Sequence, residues 1–345
     1  MGSTDFSLRQ FQPEDGPAYA ALLAASPDTG SIGMAERFEI DPYQALVGVH
    51  GDAAGIVAEA PGHDGLVGGA LARYGRCQWE GEVRPSALLN TVVVHPDFRR
   101  QGLASRLEES MAREFGEDGV FFAIIQQGNI GSERAASRWA SQILRGRLAS
   151  IPVKMRSTRP SGPLVVRAVQ PEDLAMVTEQ MNEFYRDYNL YPPESPASLA
   201  DWLKRTPFGT PFRHYRVVTD QGGSLLAGMA VTETCRLRTM LVTHMSAALR
   251  MLNRIFRVIP RSGQLRELTV SRAWYAPGRP EAMRHILEAA RWEWREVGTS
   301  LIVLTDVRGP MMEICNVRPW TGSMITGFAL RAPIGSPEHR LFYYA

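Results

Sequence analysis

The chain has 345 residues, which is enough for two domains of ordinary size, and a formal net charge of +2. Its hydrophobic content of 44% and charged content of 21% provide for packed cores and exclude an intrinsically disordered chain. The near-neutral charge lacks the concentrated basic excess of a dedicated nucleic-acid binder, so we expect no nucleic-acid partner.

The first half of the sequence predicts strands and helices without a strict strand–helix–strand repeat. Its opening strand runs into Gln12-Pro13-Glu14-Asp15, whose proline and acids are typical of a first helical turn. The predicted elements are, in chain order, a strand at 7–11, helices at 12–25 and 34–45, strands at 54–59, 66–74 and 88–94, a helix at 103–115, a strand at 120–126 and a helix at 133–144.

The second half repeats this opening. A predicted strand at 164–169 is followed by Gln170-Pro171-Glu172-Asp173, the same four residues 158 positions later. The repeat indicates an internal duplication, although helix-capping chemistry alone can also produce the phrase twice. The remaining predicted elements are helices at 171–188 and 196–204, strands at 215–219 and 225–234, a helix at 243–259, a strand at 266–273, a helix at 280–297 and strands at 300–305, 325–330 and 340–344.

This mixed order predicts an α+β fold with mainly antiparallel sheets flanked by helices. The polar stretch 156–162 contains Pro160 and Gly162 and is the expected boundary between two tandem domains, residues 1–158 and 159–345. No apolar run is long enough to cross a bilayer and no secretory signal opens the chain, so we expect a cytoplasmic protein. The three cysteines lack metal-binding spacing, so we expect reduced thiols and no metal site.

Residues 88–116 contain the most specific local pattern of the chain. A β-branched strand and a short turn lead into a helix with an apolar side chain at every fourth position from Leu103 to Phe115. Between them lies Arg99-Arg100-Gln101-Gly102-Leu103-Ala104. Unpaired backbone amides and the positive end of the helix dipole make such a turn a cradle for an anion such as a diphosphate. Gly102 admits close approach, and the two arginines add charge.

The pattern Arg99-x-x-Gly102-x-Ala104, after a Val-Val-Val-His-Pro strand end, resembles the coenzyme A signature of the GNAT (GCN5-related) N-acetyltransferases. The order of elements resembles the GNAT fold taken twice. The resemblance implies acetyl-CoA as co-substrate, with its diphosphate on the turn and its pantetheine along the preceding strand. The implied coenzyme-binding residues are Val92, Val93, Val94, Arg99, Arg100, Gln101, Gly102, Leu103, Ala104, Ser105 and Asn129.

The resemblance also implies direct attack of an amine on the thioester, with an oxyanion donor from the backbone of the strand at 92–94. Family members often take an acid from a tyrosine on a later helix. Here Trp139 stands at that position, and because an indole is no acid we expect it to pack against the sheet. The catalytic base stays unidentified. Its candidates are Glu36, Glu39, Glu80 and Glu82, and acids in the 36–41 segment would suit a cationic amine.

The second half has a degenerate version of the cradle, Arg279-Pro280-Glu281-Ala282-Met283-Arg284. Pro280 has no N–H to donate, and Glu281 would repel a diphosphate. We therefore expect a second half that keeps a GNAT-like fold, does not bind coenzyme A and packs against the first half.

A basic segment, residues 243–259, predicts an amphipathic helix, with Arg250, Arg254, Arg257 and Arg261 gathered on one side. It lies where the first half has a shorter connection, so we interpret it as an insertion. Three roles stay open: an apolar contact between domains or subunits, attachment to an anionic membrane, or binding to the phosphates of coenzyme A or of a nucleic acid.

The sequence therefore predicts an N-acetyltransferase that moves an acetyl group from acetyl-CoA to a primary amine of a small molecule or peptide. The alternative is a non-catalytic acetyl-CoA sensor or scaffold, because the tyrosine and a carboxylate on the strand are both missing. An acyl donor longer than acetyl also stays open, as do the identity of the acceptor and the choice between monomer and homodimer.

Overall fold

The computed structural model describes residues 5–26, 28–29, 32–256, 259–317, 324–333, 335–336 and 338–343. In this part of the chain the strands are β1 Ser7–Gln10, β2 Asp28–Thr29, β3 Ile32–Phe38, β4 Ala53–Glu59, β5 Gly68–Trp79, β6 Glu82–Val94, β7 Val120–Gln126, β8 Gln142–Lys154, β9 Val165–Ala168, β10 Tyr188–Asn189, β11 Arg213–Thr219, β12 Leu225–Thr232, β13 Arg238–Met245, β14 Gln264–Leu265, β15 Glu267–Tyr275, β16 Ser300–Asp306, β17 Met324–Arg331 and β18 Arg340–Leu341.

The helices of the same residues lie mainly against the faces of the sheet. They are α1 Gly16–Ala25, α2 Leu103–Phe115, α3 Ile130–Ala136, α4 Leu174–Phe184, α5 Pro196–Lys204, α6 Ala247–Phe256, α7 Pro280–Glu293 and α8 Met311–Ile314. Short 3-10 turns lie at Pro13–Asp15, Pro96–Phe98, Pro171–Asp173 and Thr234–Arg236, and a π-helical turn lies at Gln44–Gly48.

Twelve strands form one continuous sheet in the order β1-β4-β5-β6-β7-β17-β8-β16-β15-β12-β11-β9. The pairs β6–β7 and β15–β16 are parallel, and the other neighbours are antiparallel. This mixed, mainly antiparallel sheet flanked by helices confirms the predicted α+β class.

The sheet has the same arrangement when it is followed inward from either end. From one edge the strands are β1, β4, β5, β6 and β7, and from the other they are β9, β11, β12, β15 and β16. The two central strands are exchanged. β17 belongs to the second half of the sequence but lies beside β7, whereas β8 belongs to the first half and lies beside β16. Each half therefore supplies one strand to the side of the sheet formed by the other half.

The two Gln-Pro-Glu-Asp segments also fold alike. Each forms a 3-10 turn with a capping box between its glutamine and its aspartate. Arg9 donates two hydrogen bonds of 2.7 and 2.8 Å to Asp15, and Arg167 donates two of 2.5 and 2.9 Å to Asp173. These hydrogen bonds hold the pKa of both aspartates below their usual value. The equivalence supports an internal duplication, and the predicted boundary at 158/159 lies in the connection between β8 and β9.

A second, four-stranded sheet joins the halves, in the order β14-β13-β3-β2. Its central pair is β3 from the first half and β13 from the second, with Arg238 opposite Phe38 and Val242 opposite Met34. The helix predicted at 34–45 is therefore wrong, since these residues form most of β3 and the start of the π-helical turn. The pairing partner of β3 lies about two hundred residues away, so the local pattern could not reveal it.

Other predicted boundaries also differ from the structure, and two helices and the last strand are the main cases. The helix predicted at 243–259 begins only at Ala247, because β13 continues to Met245; Arg257 and Val258 lie outside the described residues. The helix predicted at 133–144 is replaced by α3, which ends at Ala136, and by the start of β8. Both errors extend a helix into a strand that is paired by a distant partner. The predicted strand at 340–344 is limited to β18, and Tyr344 lies outside the described residues.

The apolar face of α2 packs on the sheet as predicted. Leu103, Leu107 and Met111 are at most 1% exposed, and Phe115 at the end of the same stripe is partly buried against Phe121. This packing fixes the first turn of α2 directly beyond the end of β6.

Candidate active site

The turn between β6 and α2 presents backbone amides at its outer surface. After the 3-10 turn Pro96–Phe98, Arg100 and Gly102 take positive φ angles of 64° and 80°, and Gly102 is the N-cap of α2. No side chain caps the helix, and among the described residues the amides of Gly102, Leu103 and Ala104 have no acceptor. A Cβ placed on Gly102 would meet no atom within 4 Å. The turn thus leaves open space in front of donors that lie at the positive end of a helix dipole.

Charged side chains surround this cradle. Arg99 and Arg100 are exposed, and Arg99 donates through Nε to the carbonyl of Val94 at 3.2 Å, which ties the turn to the end of β6. Leu103 and Ser105 point into the protein, with exposures of 1% and 7%. These two predicted cofactor residues can therefore offer a ligand their backbone amides rather than their side chains.

A gap opens between β6 and β7 beside the cradle. The two strands pair from Ser86 and Val120 to Leu89 and Ala123, and the pairing stops there although both strands continue. Asn90 is the extra residue of a β-bulge at the same point. The separation leaves the edge of β6, along which the resemblance places the pantetheine, without a neighbouring strand.

The edge of β6 along this gap carries donors. The amide of His95 bonds the carbonyl of Val67 on the β5 side at 2.9 Å. Because amides alternate in direction along a strand, those of Val94 and Val92 point to the opposite side, toward the gap. Such donors suit a pantetheine amide or the oxygen of a thioester that becomes negative during attack.

Asn129 lies at the same edge of the sheet as the cradle, because the parallel strands β6 and β7 end on one side. It is exposed and caps α3 by accepting from the amide of Ser132 at 3.1 Å, which leaves its amide nitrogen available as a donor. The structure therefore brings Asn129 to the end of the gap that the predicted cofactor residues line.

The inner end of the gap opens into a cavity of about 610 Å³ on the face of the sheet. Leu88 and Asn90 of β6 line it, together with Ile124 of β7 and Met324 and Thr326 of β17. Residues of the second half complete its wall, including Trp202, Phe212, Arg213, Glu267 and Arg272. The amide cradle, the unpaired edge of β6 and a chamber between the two halves thus follow one another along this strand.

This geometry agrees with comparisons to known proteins. The model of the acetyltransferase (GNAT) family matches residues 23–138, which include β4 to β7, the cradle and Asn129. Residues 23–138 are a GNAT-family domain. No curated protein matches the sequence of the chain.

Solved structures with low sequence identity share the fold of the whole chain. The N-myristoyltransferase of Saccharomyces cerevisiae with bound myristoyl-CoA has a TM-score of 0.65 at 11% identity and covers 96% of this chain and 84% of its own. A GCN5-related N-acetyltransferase from Sphaerobacter thermophilus has a TM-score of 0.57 at 14% identity, and the match covers 95% of this chain and 96% of that protein. A GCN5-related N-acetyltransferase from Kribbella flavida has a TM-score of 0.51 at 15% identity, and the match covers 94% of this chain and 71% of that protein. These likenesses confirm a tandem GNAT-like fold.

Trp139, directly after the matched residues, is a packed residue. It is 8% exposed, meets Phe121 edge to face at 4.9 Å, and donates through Nε1 to the buried carboxyl of Glu108 at 2.6 Å. Burial raises the pKa of Glu108 to about 7, because the low-dielectric surroundings disfavour its ionised form. Trp139 thus belongs to the core beneath α2, in agreement with the role predicted from the sequence.

The four predicted base candidates lie in two places. Glu36 accepts from Arg238 at 2.7 Å, and Glu39 accepts from Thr239 at 2.7 Å, so both are bound to β13. Glu80 and Glu82 lie at the hairpin between β5 and β6 and accept from Asn189 and Arg84, respectively.

The second pair is remote from the gap. Glu82 is the first residue of β6 and Asn90 is the ninth, so the two are about 26 Å apart along the strand. The structure does not bring Glu80 or Glu82 to the thioester end of the gap.

The cavity contains titratable groups that the sequence did not single out. His50 lies after the π-helical turn; burial, and then the positive charges of Arg73, Arg213, Arg238 and Arg205, hold its pKa well below the usual value. Its imidazole is therefore neutral at pH 7, with a lone pair available to accept a proton.

Glu267 is the carboxylate on the opposite wall, where burial raises its pKa. His50 and Glu267 lie far apart in the sequence and share no motif, so no local signal marks them.

The corresponding gap in the second half is filled. β15 and β16 pair from Glu267 to Val270 and then separate, as β6 and β7 do. Phe342, just after β18, packs there against Tyr185 and Tyr191 at ring-centroid distances of 4.6 and 5.1 Å. The cavity that remains is about 30 Å³. At the adjoining helix start, Pro280 occupies the first turn of α7 beside Glu281, as the sequence indicates.

Among the residues that the structure describes, none of the helices combines the length and the hydrophobicity of a membrane span. The same residues include no cluster of three or more histidine, cysteine, aspartate or glutamate side chains that could hold a metal ion.

Proposed function

We propose that this protein is an N-acyltransferase whose first half binds acetyl-CoA and transfers the acetyl group to a primary amine held in the central cavity. The observation that carries the proposal is that the cradle, the gap between β6 and β7 and that cavity follow one another along β6. In the second half the matching gap holds Phe342. Residues 1–158 are accordingly the catalytic domain of the proposal, and residues 159–345 close the acceptor side.

The cradle binds the diphosphate of the coenzyme in this scheme. The amides of Gly102, Leu103 and Ala104 donate to it, and Arg99 and Arg100 add positive charge. The pantetheine then follows the free edge of β6, which places the thioester near Asn90, at the mouth of the cavity. The amides that point into the gap, those of Val92 and Val94, are the donors for the oxygen of the tetrahedral intermediate.

His50 is the proton acceptor of the proposal. The attacking nitrogen must lose a proton as the carbon–nitrogen bond forms, and a neutral imidazole within the cavity can take it. Arg73, the charge with the largest effect on the pKa of His50, lies on β5 directly opposite Leu88 of β6. Glu267 is separated from β6 by five strand spacings, about 24 Å across the sheet, so it is the weaker candidate.

The leaving group needs little assistance. A free thiol has a pKa of about 8.5, so coenzyme A departs as a thiolate near neutral pH even though Trp139 replaces the tyrosine of other family members. A cavity rich in arginine also favours the thiolate over the thiol.

The test combines binding with turnover. Calorimetry with acetyl-CoA measures the cofactor site, and release of the free thiol over a panel of amines and short peptides measures transfer. We expect binding together with thiol release that depends on an added amine. Binding without turnover on any amine would favour the alternative, a non-catalytic sensor. Faster thiol release from longer acyl-CoA donors would show that the transferred acyl group is longer than acetyl.

A further inference from the structure

The central cavity is strongly cationic. Arg73, Arg76, Arg213, Arg238 and Arg272 line it, whereas Glu267 is the one carboxylate among its described lining residues. Burying charges of one sign is unfavourable unless partners or a ligand compensate them. Whether these arginines stabilise the fold or bind a ligand therefore depends on the groups that they contact.

Most of the arginines have structural partners. Arg238 pairs with Glu36 at 2.7 Å, and Arg272 pairs with Glu194 at 2.7 Å. Arg213 donates to the backbone carbonyls of Val49, Trp202 and Arg205 at 2.8 to 3.1 Å and so ties the two halves together. Arg76 is exposed and donates to the carbonyl of Val83 at 3.1 Å.

Arg73 differs from all of these. Five arginines of the described residues have a buried Nε atom without an acceptor: Arg73, Arg84, Arg147, Arg213 and Arg331. Four of the five use their terminal nitrogens in hydrogen bonds to other groups. For Arg73 the described residues provide neither a hydrogen-bond acceptor nor a carboxylate at ion-pair distance. Burial lowers its pKa, against a smaller opposing effect of the nearby Tyr343, and the charge of Arg238 adds to the lowering.

Arg73 also lies close to the proposed reaction centre. It faces Leu88 directly across the β5–β6 ladder, and Asn90, where β6 leaves β7, is two residues further along the strand. Two residues of a strand span about 7 Å, which a guanidinium on its flexible side chain can cover. An anionic group bound by Arg73 and an amine that attacks at the end of the gap can therefore belong to one small molecule, a few covalent bonds apart.

We propose that the acceptor amine carries an anionic group, a carboxylate or a phosphate, and that Arg73 binds this group. The inference rests on the proposed acyl transfer and adds its substrate class: a small amino acid or amino phosphate rather than a polycation. A guanidinium presents a planar pair of donors that matches both kinds of oxyanion. Binding also places a negative charge beside His50, which offsets the positive field that depresses the basicity of its imidazole.

Matched acceptors provide the test. L-alanine is compared with L-alaninamide, and O-phosphoethanolamine with ethanolamine, so that each pair shares its amine and differs in the anion. We expect kcat/KM to be about 10- to 100-fold higher for the anionic member of at least one pair, the range for a charge-assisted hydrogen bond. The pair that shows the difference identifies carboxylate or phosphate. Equal or faster turnover of the neutral members would overturn the proposal.

The variant Arg73→Gln should remove the difference within the pair, and Arg73→Lys should restore part of it. Arg113→Gln, an exposed arginine at the far end of α2, is the control and should leave the difference intact. If Arg73→Gln lowers kcat/KM equally for both members of a pair, Arg73 has a structural role instead. Thermal unfolding gives a second readout: removing an uncompensated buried cation should not lower the Tm, whereas removing a structural arginine would.

Failure of the proposed function is distinguishable from failure of this inference. If acetyl-CoA binds but no amine is acetylated, inorganic phosphate is added to the protein saturated with coenzyme A, so that the cradle is occupied. Phosphate should then raise the Tm of the wild type more than that of Arg73→Gln. An equal shift in the two proteins would reject the anion site independently of catalysis.

Discussion

The substitution Gly102→Ala tests the cradle with one added methyl group. Gly102 has φ of 80° and ψ of 3°, a left-handed conformation that costs an alanine about 1–2 kcal/mol. The added Cβ meets no protein atom within 4 Å, so backbone strain is the whole cost to the fold. In the complex, the same methyl group occupies the space through which a diphosphate approaches the amides of Gly102, Leu103 and Ala104.

The expected loss of affinity follows from the hydrogen bonds at stake. Displacing the diphosphate from two amides removes two charge-assisted hydrogen bonds, together about 3 kcal/mol or more. Each 1.4 kcal/mol is a factor of about ten, so Gly102→Ala should weaken acetyl-CoA binding about 100-fold. The loss should appear in calorimetry as a change of Kd, with the far-UV circular dichroism of the wild type retained.

Gly116 provides a matched control at the opposite end of α2. It also has a positive φ, 86°, and a Cβ placed there likewise meets no atom within 4 Å. Gly116→Ala should therefore cost the fold at least as much stability while leaving the Kd for acetyl-CoA unchanged. The reasoning about the cradle is refuted if Gly102→Ala binds acetyl-CoA within about threefold of the wild type, or if both variants lose affinity equally.

Three further predictions concern other parts of the structure. His50→Gln should lower kcat by about 10²–10⁴-fold while the Kd for acetyl-CoA stays unchanged; retained kcat would exclude His50 as the base. The raised pKa of Glu108, about 7, means that the unfolded chain ionises this carboxyl above about pH 4.5 while the folded protein keeps it protonated. Stability should therefore fall between about pH 4.5 and 7, by up to about 3 kcal/mol, and Glu108→Gln should abolish that part of the fall in thermal unfolding at pH 5 and pH 8. Asp173→Asn should lower the free energy of unfolding by about 1–3 kcal/mol, measured by urea unfolding at pH 7. Because Arg167 lowers the pKa of Asp173, this cost should disappear as the pH falls below the usual 3.8 of the carboxyl, and a cost independent of pH would contradict the ion pair.

The sequence predicts the turn between β6 and α2 well because every part of it is local. The strand end, the turn with Gly102 and the first turn of α2 are consecutive in the chain, so residue type and spacing carry the information. The same holds for the two Gln-Pro-Glu-Asp turns, whose hydrogen bonds form within a few residues.

The acceptor cavity has no such local signal. His50 follows a π-helical turn, Arg73 lies in β5 and Glu267 lies in β15, and the sheet topology brings them to one chamber. The sequence also led us to expect acids that would attract a cationic amine. Of these, Glu36 is bound by Arg238, which β13 supplies from the other half. Charge in a sequence window therefore does not predict the charge of a cavity whose wall comes from distant strands.

The missed strands have the same cause. The sequence predicted helix for most of β3 and for the first three residues of β8, and the partners that select the extended form there, β13 and β17, lie far along the chain. Pairing with a distant strand overrides local propensity in both cases.

The exchange of β8 and β17 has a practical consequence for anyone who divides this chain. Residues 1–158 and 159–345, produced as separate polypeptides, would each expose an unsatisfied ladder edge where the other piece normally docks. When the two polypeptides are mixed, their exposed strand edges can pair with each other, as in a split protein. Recovery of acetyl-CoA affinity would then report their reassembly.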